Sequence, residues 1–183
     1  MLSHDRMEFR DKNVIIRDHI TEKASESILY GGWFLRREDA TRLEQVARDV
    51  LGDVLSSITG NVIAECGHIT HTFCGKDKTK QLDFLHYLTG TMPVTVTIDL
   101  VGLRFSCTGP HFISAFVPDP SIMGLSTNDH PHVTALRLKQ TAPVQSNKML
   151  ADPDSPFIAF PKPITVVFYA GAVLSTATHS VAT

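Results

Sequence analysis

The pattern that most constrains this chain occurs twice inside apolar, strand-like runs: His68-Ile69-Thr70 and, 64 residues on, His132-Val133-Thr134. Side chains alternate along a strand, so each copy puts an imidazole and a hydroxyl on one face and Ile69 or Val133 on the other. A polar face on an otherwise buried strand is costly unless it lines a cleft. Two such strands facing each other would give a cleft with two histidines and two hydroxyl donors, a set suited to general acid–base chemistry on a phosphodiester. Two ordinary core histidines, each hydrogen-bonded locally, satisfy the same pattern. Composition alone predicts about one His-x-Thr, and this chain has three. The third, His19-Ile20-Thr21, runs into Glu22 and Lys23 in a charged segment and is not placed in a packed strand.

The chain has 183 residues, which suits one domain of one or two lobes with a real core. Charged residues at 20% and hydrophobic ones at 43% exclude a disordered class. A net charge of −2 provides no strong overall field for nucleic acid, although a local patch beside a cleft remains compatible with it. Cys66, Cys74 and Cys107 leave one thiol unpaired in any disulfide scheme, so they read as reduced thiols in a cytoplasmic protein. The N-terminus is polar from the start and shows no signal-peptide core. The most apolar stretch, Ile164 to Leu174, is too short to cross a bilayer and reads as a core strand, so no membrane partner is expected.

Residues 1–27 are charged around a small apolar island, Val14-Ile15-Ile16, and are taken as an arm or peripheral element ahead of a single domain over 28–183. Ile28 to Leu35 is a first core strand with Gly31-Gly32 marking a bulge or close approach. Leu43, Val46, Ala47, Val50, Leu51, Val54, Leu55 and Ile58 step by three and four along one helix, stopped by Gly60. Val62 to Phe73 is a strand carrying the first motif, with His68, Thr70 and Thr72 on one face, and a shorter helix follows over Lys78 to Leu88. From Val94 the apolar residues alternate towards Phe105, Gly109-Pro110 turns the chain, and His111 to Val117 returns as a partner strand. A loop over Pro118 to Pro131 leads to the second motif strand, His132 to Leu138. A Pro- and Asp-containing stretch, Thr141 to Pro156, precedes a last strand around Ile164 to Tyr169.

The two motifs, H-I-T-H-T-F and P-H-V-T-A-L, resemble the paired His-x-Thr/Ser signatures of the 2H phosphoesterase superfamily. That group includes the LigT-like RNA cyclic phosphodiesterases and the cyclic phosphodiesterase domain of fungal and plant tRNA ligases. Tyr30-Gly31-Gly32-Trp33-Phe34-Leu35 followed by a helix is similar to the family's opening strand and helix. Pro143 to Leu150, containing Ser146-Asn147, is similar to the proline-to-Ser-Asn stretch of tRNA-ligase-type members. One position departs: His71 stands where the family usually has an apolar residue, and strand parity sends it away from the cleft, towards a partly exposed sheet face.

The resemblance implies an α+β fold, bilobal, with two antiparallel sheets flanking a central cleft and helices on the outside. It implies a hydrolase of the 2H cyclic phosphodiesterase type, acting on RNA 2′,3′-cyclic phosphate ends or a related phosphodiester such as 2′,5′-oligoadenylate, in RNA repair or processing. His68 and His132 would be the acid–base pair, in an order the sequence leaves open. Thr70 and Thr134 would bind the phosphate oxygens. Tyr30, Trp33, Phe73 and Ser146 are candidate substrate contacts, and Arg104, Lys139 and Lys148 are candidate steering charges, although each aromatic also suits a core and each cation a solvated surface. No metal or other cofactor is required, because a five-membered cyclic phosphate is already strained. A monomer is expected, with an RNA end or nucleotide as its partner.

Two other readings compete. Cys66, His68, His71 and Cys74 offer two thiols and two imidazoles within nine residues, enough for tetrahedral zinc, although strand parity turns His71 to the other side. A non-catalytic RNA or nucleotide binder would keep the cleft but has no need of two titratable groups.

Overall fold

The computed structural model describes residues 8–175. Its strands are β1 (Val14–Ile16), β2 (Ile28–Phe34), β3 (Val62–Ala64), β4 (His68–Phe73), β5 (Thr95–Thr108), β6 (His111–Pro118), β7 (Val133–Leu138) and β8 (Phe157–Leu174). Its helices are α1 (Arg37–Val50), α2 (Gly52–Ser56), α3 (Lys78–Gly90) and α4 (Gln145–Ala151). The fold is α+β and the sheet is antiparallel throughout. Among the described residues no helix is long and apolar enough to cross a membrane.

The strands join in the order β1-β8-β2-β4-β7-β6-β5, with β3 beside β7, and β5 also pairs with β8. Six strands thus close into a ring. The family resemblance implies two separate sheets; the structure has one, with a narrow seam where β4 and β7 meet through a single residue pair, Ile69 opposite Val133. Across the ring the long strands β5 and β8 tie the halves together.

Local chemistry explains the main elements. In α1 the acidic Glu38 and Asp39 sit in the first turn, where the helix dipole favours them, and Ala40, Leu43 and Ala47 form its buried stripe. The apolar stripe continues past Val50, but the helix breaks at Leu51, just ahead of the weak helix former Gly52. The Asp77 carboxylate caps α3 by accepting from the Lys80 amide at 3.1 Å. Apolar residues of α1 and α3 join Ile69, Val133, Phe116 and Phe168 in one core. A second small cluster, Ile113, Ala115 and Met149, places α4 on the opposite side of the sheet. Ala115 stands opposite Thr134, so α4 covers part of the face that carries the motif hydroxyls.

Candidate active site

The Ile69–Val133 pair sets the geometry. Both side chains are fully buried in the main core, so the residues flanking them, His68, Thr70, His132 and Thr134, emerge on the other face. Continuing that antiparallel register sets His68 across from Thr134 and Thr70 across from His132, so the two histidines are diagonal neighbours, a relation that spaces residues by roughly 7–8 Å and their Cβ atoms by somewhat less. This contact is made by a slip in the ladder. Residues 62–66 pair with 138–134, ending at the 2.8 Å bond from the Cys66 amide to the Thr134 carbonyl. Cys66 then takes a positive φ of 50°, and β4 restarts two residues out of step.

His68 is held from a segment that the sequence assigned to a peripheral arm. Its Nδ1 lies 2.5 Å from Asp11 Oδ2, and the Tyr30 hydroxyl donates to the same oxygen at 3.1 Å. Tyr30 and Phe34 flank the ring at 4.8 and 5.7 Å between centroids. Burial, and then the neighbouring Asp11 charge, push the Tyr30 phenol well above its ordinary range, so it serves only as a donor. Gly67 makes the space: a Cβ there would lie 2.0 Å from Asp11 Oδ1. The arm is fixed by further contacts. Arg10 bonds Glu44 and the Ala64 carbonyl, and β1 pairs with β8. Residues 1–7 lie outside the described residues.

His132 is held differently. Its Nδ1 donates to the His130 carbonyl at 2.8 Å, and its Nε2 meets Ser146 Oγ at 2.7 Å. Burial lowers its pKa, an effect increased by charge on His68 and His130 and opposed by the His130 hydrogen bond. The Pro143 carbonyl lies 2.7 Å from the same hydroxyl, a second acceptor for its single proton.

The other expected site residues divide between the core, the surface and, for Ser146, direct contact with His132. Trp33 is a correction: it stands opposite Ile69 and is buried in the core, its indole N–H on the Leu125 carbonyl, so it does not reach a substrate. Ser146 is another, since at 1% exposure it contacts His132 rather than solvent. Phe73 is 63% exposed, not core, and stands opposite Tyr30. Thr72 leaves the motif face because β4 carries one extra residue at this point. It pairs with Gly31, on the α3 side, and bonds His71 Nδ1 at 2.8 Å. His71 does point away from the motif face, but it is buried rather than part-exposed, stacked on Tyr87 at 4.7 Å.

Arg104 donates to the Ser155 carbonyl and lies over the Phe157 ring. Cavities of about 370, 670 and 300 Å³ lie beside the four motif residues rather than on them. The first borders His130 and Pro131, the second Phe73 and Lys80, and the third His111 and Lys148. Among the described residues no three His, Cys, Asp or Glu side chains gather as a metal site. Cys66 and Cys74 are buried free thiols, pushed up by that burial to about 12 and about 11.

Asp11 is the residue that sequence reasoning missed. Nothing local in its neighbourhood signals a contact 57 residues away. Only Gly67, directly before His68, hints that something packs closely there. Comparison with protein-family models and with curated proteins finds no match to this chain.

Proposed function

We propose that this protein is a metal-independent phosphodiesterase of the 2H phosphoesterase type, hydrolysing RNA 2′,3′-cyclic phosphate ends or a related nucleotide phosphodiester during RNA repair or processing. One observation carries the reading: the Ile69–Val133 pair sets both His-x-Thr motifs on one face, four polar side chains around one diagonal. A phosphate seated between them meets a hydroxyl donor from each strand, Thr70 and Thr134, which can stabilise charge building on its non-bridging oxygens. One imidazole takes a proton from water while the other gives one to the departing ribose oxygen. Support also comes from the way each ring is held, by Asp11 or by His130 and Ser146, as catalytic groups require.

A product assay tests this on three substrates: 2′,3′-cyclic mononucleotides, an oligonucleotide ending in a cyclic phosphate, and 2′,5′-linked oligoadenylate. Turnover of at least one, undiminished by EDTA, is expected. Tight binding of these ligands without turnover would instead support a nucleotide-binding module.

A further inference from the structure

The two motif histidines have partners of different charge. His68 meets a carboxylate, whereas His132 meets neutral oxygens, the His130 carbonyl and Ser146 Oγ. The Asp11 seat is built rather than incidental. Its side chain is 15% exposed, the Tyr30 hydroxyl donates to the same oxygen, and Gly67 leaves room that a Cβ would fill. A carboxylate only accepts, so the His68 proton sits on Nδ1 and Nε2 is the working atom.

We propose that Asp11 is the positioning residue of His68 and makes that ring the proton donor to the leaving oxygen, with His132 the proton acceptor; this rests on the phosphodiesterase reading above. An anion beside one ring of a pair compensates positive charge on that ring and not on the other. The groups facing His68 are Asp11, Tyr30 and Phe34, and those facing His132 are His68, His130 and Ser146. Burial of His132 favours its neutral form, as a base needs. The Ser146 hydroxyl has a second acceptor in the Pro143 carbonyl, so it can turn there when water arrives at His132 Nε2. Water oxygen then bonds to phosphorus as its proton passes to His132. The bond from phosphorus to one ribose oxygen breaks, and that oxygen takes the proton from His68 Nε2. One water is consumed, a phosphate monoester forms, and the proton on His132 returns to His68 through solvent.

The test is Asp11→Asn in the full chain. On 2′,3′-cyclic CMP it slows hydrolysis by roughly 100-fold or more, the scale of a general acid. On thymidine 5′-(4-nitrophenyl phosphate), whose leaving group departs without a proton, the loss is far smaller, whereas His132→Asn slows both substrates. An equal fall on both substrates, or no fall at all, overturns the donor role. Ring nitrogen-15 shifts of neutral His68 provide a readout independent of turnover: Nδ1 is protonated in the wild type, and the Asn variant moves towards the Nε2–H tautomer. An unchanged tautomer overturns the positioning role. The expected tautomer change without wild-type turnover overturns the phosphodiesterase reading, and the donor role with it.

Discussion

Gly67→Ala is the sharpest structural perturbation available at this site. The new Cβ would lie 2.0 Å from Asp11 Oδ1 and 2.7 Å from its Cγ, far inside van der Waals contact. The Gly67 backbone does not take the left-handed conformation, so the methyl alone is at issue. The Asp11 carboxylate must swing out, and it takes with it the hydrogen bonds to His68 Nδ1 and the Tyr30 hydroxyl. A hydrogen bond to a charged group is worth about 1.5–3 kcal/mol, and the half-buried Tyr30 hydroxyl loses its partner as well. We expect a net loss of about 2–3 kcal/mol, which for a chain this size lowers Tm by roughly 4–12 °C. The assay is a double-mutant cycle by urea unfolding over wild type, Gly67→Ala, Asp11→Ala and the pair. Most of the Gly67→Ala cost should vanish in the Asp11→Ala background, because the atom it strikes is gone. A harmless Gly67→Ala, or an equal cost in both backgrounds, would refute the seat described for Asp11.

Three further outcomes follow from the same structure. Gly31→Ala would place a Cβ 2.0 Å from the Phe84 ring and pry α3 from β2, costing about 1–3 kcal/mol by overpacking, checked by urea midpoint; a neutral result contradicts that packing. His71 and His132 have pKa values lowered by burial, so the unfolded chain binds more protons than the folded one below the ordinary value of 6.5. Stability is therefore expected to fall as pH drops from 6.5, and His71→Phe should reduce the difference between pH 7.5 and 5.5 in thermal melts, whereas an unchanged slope removes His71 from the cause. Ser146→Ala leaves His132 Nε2 and the Pro143 carbonyl without their shared partner; a loss of about 1–3 kcal/mol is expected, and a stabilised variant would contradict it.

Much of the scaffold was legible because periodicity reports burial. The alternation beginning at Val94 gives β5, the three-and-four stripe gives α1, and Ile69 and Val133 face the core as their parity requires. The failures have physical causes. Parity puts Thr72 on the motif face only in an unbroken ladder, and the bulge in β4 breaks it. β8 runs well beyond the expected Ile164–Tyr169. Its prolines, Pro161 and Pro163, fall between the 159–102 and 164–100 pairings, where three extra residues loop out and no amide is needed in the ladder. The seven-residue helix α4 is too short to show a period and follows Pro143, so nothing in its stretch marks a helix. Asp11 was invisible for a different reason. Its role depends on a tertiary contact, and a charged residue in a charged segment carries no pattern that points to one partner.

Hydrolysis of 2′,3′-cyclic CMP by wild type, His68→Ala, His132→Ala and the double variant tests the central claim most directly, with circular dichroism confirming each fold. If the two rings act in one proton-transfer step, each single variant loses at least about 100-fold, and the double loses far less than the product of the two. Wild-type rates in both single variants would contradict the account.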